Sequence, residues 1–209
     1  MNAMQTHAPS KTAPFAHPRR NVAALGIEPG MLVADFGSGS GAYVLAIADR
    51  LEGLGHIYAI DIQRDLLRRI SNEATKLGHK NVEVIWADLE APRASKLANG
   101  TLDLVLASNI LFQVPDKRAL LSEARRILKA KGRLAVVDWS ASTRAGRDGS
   151  DPEGQQAAYR AGSFGPQAED IVSKEKALEL VRKEGFELVK EFPAGAHHYG
   201  LILRLAVAQ

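Results

Sequence analysis

The seven residues Asp35-Phe-Gly-Ser-Gly-Ser-Gly41 follow the apolar run Met31 to Phe36 and lead into the helical pattern Ala42 to Leu51. Glycines at alternate positions let the backbone turn sharply and approach a ligand closely, so strand, loop and helix together define a βα unit that binds something at its carboxyl end. Such a unit needs a sheet around it. Further strand-like runs occur at His56 to Ile60, Asn81 to Trp86, Leu102 to Ala107 and Arg133 to Val137, with helices predicted at Arg64 to Leu77 and Asp116 to Lys129. This alternation implies a parallel sheet in an α/β fold. Gly78 predicts a C-cap, Asp116 an N-cap, and Lys131-Gly132 a turn into the fifth strand.

Beyond Asp138 the pattern changes. Ser140 to Gly165 has no apolar periodicity past Ala157, Ala158 and Tyr159, and reads as a loop or lid. Ser173 predicts the cap of a helix Lys174 to Glu184, ended by Gly185. Two strands follow, Phe186 to Phe192 and Tyr199 to Val207, joined by the turn Pro193-Ala-Gly195 as an antiparallel hairpin. Residues 1–16, broken by prolines, read as a mobile tail. The rest, 17–209, is expected to form one domain, which a chain of 209 residues with 45% hydrophobic content suits.

The chain has no cysteine, which excludes disulfides, thiolate metal sites and cysteine nucleophiles. Its 27 basic and 24 acidic residues are nearly balanced and scattered, so no nucleic-acid partner is expected. No apolar run approaches the roughly 20 residues needed to span a bilayer, and Met1 to Arg20 lacks the apolar centre of a signal peptide. A cytoplasmic location is the expectation.

Two ligands compete for the glycine loop. Gly37-x-Gly39-x-x-Ala42 loosely satisfies a dinucleotide fingerprint, and Asp61 stands about 20 residues past the last glycine, where a ribose-binding acid belongs. Asp35 separates the candidates, because a carboxylate beside the loop repels a pyrophosphate but favours a sulfonium and an ammonium. Asp88 adds an acceptor suited to an adenine amine. Any one of these acids can be a plain strand-end cap or turn, but three strands each ending in one should bring Asp35, Asp61 and Asp88 to a single crevice.

The segments Asp35 to Gly41, Ala59-Ile-Asp-Ile62, Ala87-Asp-Leu89 and Leu128-Lys-Ala-Lys-Gly132 resemble class I S-adenosylmethionine-dependent methyltransferases. With Asp103 to Asn109 included, the chain is most similar to the branch containing quinone-biosynthesis and arsenite methyltransferases. The resemblance implies a doubly wound, Rossmann-like sheet of seven strands in the order 3-2-1-4-5-7-6, strand 7 antiparallel. It implies that Asp35, Gly37, Ser38, Gly39 and Gly41 form the cofactor loop and that Asp61 holds the ribose hydroxyls. It further implies that Ile62 and Leu89 sandwich adenine, that Asp88 binds the adenine amine, and that the Asn109 backbone faces the methionine end. His198-Tyr199 matches a pair that relatives carry at the start of strand seven. His198 is therefore the candidate base in an acceptor pocket, against the plainer role of closing the hairpin. His17, Arg20, Phe112, Trp139 and Tyr199 are candidate pocket residues. Trp86, on the same sheet face as Asp88, reads as core. His7, His56 and His79 read as exposed polar residues.

Departures narrow the acceptor. Arsenite chemistry and cytosine C5 methylation both use cysteines, which this chain lacks. No proline-proline-aromatic run follows strand four, and only Asp116 adds an acid there, so neither base-amine methylation nor a metal is expected. The leading expectation is a small-molecule methyltransferase, monomer or homodimer, with a protein or RNA acceptor next. A cofactor-binding protein with little activity and an NAD(P)-binding oxidoreductase are the rivals from other classes.

Overall fold

The computed structural model describes residues 17–140, 166 and 169–206. The proposed tail, most of the 140–165 loop and the end of the last predicted strand therefore lie outside the described residues. Strands β1 (Leu32–Phe36), β2 (His56–Asp61), β3 (Val82–Trp86), β4 (Leu102–Ser108) and β5 (Leu128–Trp139) run parallel. β7 (His198–Leu205) lies antiparallel between β5 and β6 (Phe186–Gly195). The order is β3-β2-β1-β4-β5-β7-β6, as the resemblance implied.

Helices cover both faces. On one, α1 (Pro18–Ala24), α2 (Ala42–Arg50) and α3 (Arg64–Lys76) pack over Val33, Ile57, Ala59, Leu104, Leu106, Ala135 and Ile202. On the other, α4 (Lys117–Ile127) and α5 (Lys174–Lys183) pack over Phe36, Val105, Leu134, Val136, Leu201 and Leu203. The central strands are buried on both sides, which is why they read as continuous apolar runs.

Local signals behave as expected at several ends. The Asp116 carboxylate accepts the N–H of Ala119, and the Ser173 hydroxyl that of Lys176. Gly78 and Gly185 close α3 and α5.

Two junctions differ from the expectation. α4 ends at Ile127 and β5 begins at once with Leu128, whose backbone is already extended; the predicted turn at Lys131-Gly132 is instead an irregular stretch within the strand. Leu128 is buried, so passing directly from helix to strand keeps it in the core. The hairpin turns at Ala196-His197 rather than at Pro193. β6 runs through the proline because its ladder slips between Pro193 and Gly195, where a residue without an N–H is tolerated. Pro18 opens α1, a helix that sequence periodicity did not reveal.

Candidate functional site

Strand order reverses between β1 and β4, and at their carboxyl ends a cavity of about 350 Å³ opens. Gly37, Gly39, Asp61, Ile62, Asp88 and Leu89 line it, so residues of the three motifs meet here, whereas Asp35, Ser38 and Gly41 are not among its lining residues. Its remaining wall includes Gln63, Ile110, Gln113 and Val114, none of which carried a sequence signal.

The loop owes its shape to close packing. Gly37 and Gly41 both have positive φ, and a Cβ on Gly41 would lie 2.6 Å from Ile70 Cγ1, while one on Gly37 would collide with the Ile110 side chain. Only glycine fits at either point. Asp61 fixes the loop from the other side. Its carboxylate is 6% exposed and accepts the N–H of Gly39 at 2.9 Å and that of Gln63 at 2.8 Å, clamping the glycine loop to the β2–α3 connection. Each oxygen keeps a lone pair for a ligand hydroxyl. Asp88 is exposed at the cavity rim and accepts the N–H of Glu90 at 3.0 Å. Ile62 is 58% exposed and Leu89 buried, leaving apolar surface on two sides.

Trp86 is not core. It is 48% exposed, its indole N–H donates to the Ile62 carbonyl at 2.9 Å, and the Arg64 guanidinium lies 3.8 Å from its ring centre. β3 is an edge strand and its outer residues are not fully covered, so sharing a face with Asp88 does not bury the ring.

A second group of residues lies on the face covered by α1 and α2. Alternation along the strands directs Asp35, Ser108, Trp139 and His198 to that side, in line with Val33, Leu106, Val137 and Ile202. Among the described residues, Asp35 Oδ1, Ser38 Oγ, Asn109 Oδ1 and both ring nitrogens of His198 are buried without a hydrogen-bond partner, while the Ser108 hydroxyl lies beside that of Tyr43. Buried polar groups in folded proteins are ordinarily paired, so this concentration marks a place for a polar ligand. Burial, reinforced by the charge of Asp61, pushes the Asp35 carboxyl up to about 8, and burial pulls the His198 imidazole down to about 4. Near neutrality both are mainly uncharged. Repulsion of a pyrophosphate by Asp35 thus weakens, but the converse strengthens: a cation here relieves an unpaired buried carboxyl.

Asn109 adopts φ +52°, its N–H donates to Val137 O at 2.8 Å and its carbonyl accepts from Gln113 Nε2 at 2.7 Å. Trp139 and His198 pair across the β5–β7 ladder with ring centres 4.4 Å apart. Tyr199 points to the opposite face, where its hydroxyl donates to Val172 O at 3.0 Å and it lines a separate cavity of about 640 Å³. His198 and Tyr199 therefore do not share one pocket wall. Phe112 is half-buried in the turn after β4. His17 and Arg20 are exposed on α1; the residue of that helix that reaches inward is Asn21, whose Nδ2 donates to Tyr43 Oη at 2.8 Å and to Ala194 O at 3.0 Å.

Among the described residues no cluster of metal-ligating side chains occurs, and no helix is long and apolar enough to cross a membrane.

Comparison with known proteins agrees with this geometry. The family model for a methyltransferase domain matches residues 27–188. An arsenite methyltransferase of Aquipseudomonas alcaligenes is 29% identical over 119 residues, which cover 55% of this chain and 34% of that protein. The ubiquinone/menaquinone biosynthesis C-methyltransferase UbiE of Hydrogenovibrio crunogenus is 31% identical over 129 residues, covering 60% of this chain and 48% of that one. The chain thus spans half or less of these relatives' lengths. The crystal structure of a SAM-dependent methyltransferase from Aquifex aeolicus superposes with a TM-score of 0.75 at 22% identity, covering 92% of both chains. The chain belongs to the methyltransferase domain family, in the class I branch that the arsenite and UbiE-type methyltransferases share.

Proposed function

We propose that this chain is an S-adenosylmethionine-dependent methyltransferase acting on a small-molecule acceptor. The observation that carries the reading is the set of buried, unpartnered polar atoms on Asp35, Ser38, Asn109 and His198, of which Asp35 and Ser38 flank Gly37 and Asn109 precedes Ile110, two residues that line the glycine-loop cavity together with Asp61, Asp88, Ile62 and Leu89. Asp61 would take the ribose hydroxyls, Asp88 the adenine amine, and Ile62 and Leu89 the adenine faces. Asp35 would balance positive charge, while Ser38 and Asn109 offer polar contacts near it. When bound, S-adenosylmethionine supplies an electrophilic methyl group on a sulfonium.

The protein's own work is then alignment, which in favourable cases lowers a barrier by ~7 to 11 kcal/mol. Trp139 and His198 are the acceptor side of the site. His198 meets the acceptor as a neutral imidazole, able to accept a hydrogen bond from a hydroxyl and so to orient the nucleophile; burial, which pulls it down to about 4, makes it a weak acceptor of the proton itself. The relatives' names point to small acceptors, arsenite and quinone precursors; the missing cysteines separate this chain from arsenite chemistry.

Calorimetry with S-adenosylhomocysteine against NADH tests the cofactor: the first should bind and the second should not, and the reverse result ends the proposal. A metabolite extract incubated with labelled methyl donor should yield a labelled small product, and label confined to protein or RNA refutes the acceptor class.

A further inference from the structure

Asp138, the penultimate residue of β5, has no exposed surface, and nothing assigned to the site so far uses it. Its two oxygens serve two different segments. Oδ2 accepts the N–H of Leu111 at 3.0 Å, in the turn after β4, and Oδ1 accepts the N–H of Trp139 at 2.8 Å, at the end of β5. Beside Leu111, Ile110 lines the glycine-loop cavity and its side chain packs where a Cβ on Gly37 would be. Beside Asp138, the Trp139 ring packs on His198. One buried carboxylate thus stands at the start of two chains of contact, one reaching the glycine loop and the other the acceptor side.

We infer that Asp138 is a positioning residue that sets the donor and acceptor halves of the site relative to one another, through Ile110 on Gly37 and through Trp139 on His198. It touches neither ligand. A carboxylate suits the task because it offers equivalent acceptors to two diverging N–H groups. Asparagine offers one acceptor and turns an N–H₂ toward the second amide. The choice is costly for folding, since burial pushes this carboxyl up to about 6, and the groups facing it, Tyr199 on β7 and Lys117 on α4, form no ion pair with it. A costly charge spent on the backbone amides of two segments, Ile110-Leu111 and Trp139, fits their placement being what is selected.

The inference rests on the cofactor occupying the cavity. Its test is calorimetric titration of wild type, Asp138→Asn, Ile110→Ala and the double variant with S-adenosylhomocysteine. Each single change should weaken binding roughly tenfold, the scale of one lost charge-assisted hydrogen bond. The double variant should be no weaker than the worse single one, because Asp138 acts through Ile110. Unchanged affinity in Asp138→Asn, or losses that multiply in the double variant, overturn the inference. In a Trp86→Phe background, where Trp139 is the remaining one of the two tryptophans, Asp138→Asn should also shift tryptophan emission; an unmoved spectrum overturns the acceptor arm. If Asp138→Asn does not fold, the wild type carries the test: amide-resolved hydrogen exchange should show the homocysteine ligand slowing Leu111 and Trp139 by the same factor, and protection at Leu111 alone overturns the coupling. A wild type that fails to bind the ligand sinks the cofactor reading and this inference together. A wild type that binds beside an unaffected variant sinks this inference alone.

Discussion

Replacing Asp35 by asparagine should make the empty protein more stable and the cofactor site worse, and both effects should depend on pH. The carboxyl has an ordinary value of 3.8 and is pushed up to about 8 by burial and by Asp61. Between those values the folded protein holds a proton that the unfolded chain has released, so stability is greatest below 3.8 and falls as pH rises through this window. The gap is roughly four units, and at about 1.36 kcal/mol per unit the loss by pH 8 and above reaches about 5 kcal/mol as an upper bound. Asparagine removes that loss without breaking a bond to Oδ1, which has no partner. The Asp35→Asn variant should therefore melt above the wild type at pH 8.5, and the difference should shrink toward pH 5. Cofactor binding reverses the sign. A sulfonium and an ammonium beside Asp35 favour its ionised form, so binding at pH 6.5 should expel close to one proton, and wild-type affinity should rise up to tenfold per pH unit until about pH 8. Calorimetry of S-adenosylmethionine in two buffers of different ionisation heat counts that proton directly. If none is released by the wild type, or if Asp35→Asn binds as tightly as the wild type at pH 8.5, Asp35 is a structural residue and the charge argument is wrong.

Asp61→Ala should cost about one to two decades in S-adenosylhomocysteine affinity, from roughly 1.5 to 3 kcal/mol of charged hydrogen bonding, with exchange of the Gly39 and Gln63 amides speeding up; unchanged affinity in a folded variant removes Asp61 from the cofactor site. Trp86→Phe keeps a ring under Arg64 but deletes the donor to Ile62 O, and should weaken the same ligand by roughly threefold to tenfold at unchanged melting temperature, as a plate-based binding assay would reveal. His198→Ala should leave cofactor affinity intact and lower turnover of the acceptor; weakened cofactor binding would move this histidine to the donor side. Arg126→Ala leaves the buried Glu123 carboxylate, which also accepts from Ser95, without its cation, and should cost about 3 kcal/mol in chemical denaturation with no effect on ligand affinity per folded molecule.

The glycine-loop cavity was legible because its parts are local: Asp35 to Gly41, Asp61-Ile62 and Asp88-Leu89 are each a strand end with its following turn, and parallel topology brings strand ends together. The face covered by α1 and α2 draws Asn21, Trp139 and His198 from α1, β5 and β7, and no spacing in the chain joins them. Period-two alternation did contain one missed fact, that His198 and Tyr199 cannot face the same pocket. Trp86 was misread because alternation gives the face of a strand but not whether that strand lies at an edge. α1 escaped because seven residues show no amphipathic period and its N-cap, His17, makes no capping bond. Asp138 looked like any acid after an apolar run; its role depends on two amides, of which Leu111 lies 27 positions away.

The bonds of Asn21 bear on how the protein is made. Its amide joins Tyr43 to Ala194, a carbonyl 173 positions further along. A ribosome releases the glycine loop, Asp61 and Asp88 well before Ala194 and His198, which lie on a hairpin whose outer strand β6 pairs only with β7. Until that hairpin docks on β5, α1 is without its bond from Asn21 to Ala194. Contacts of such long sequence separation form late. The bond of Asn21 to Ala194 therefore forms only as that hairpin docks, so that α1 is fixed over the sheet and the ladder completes in one step.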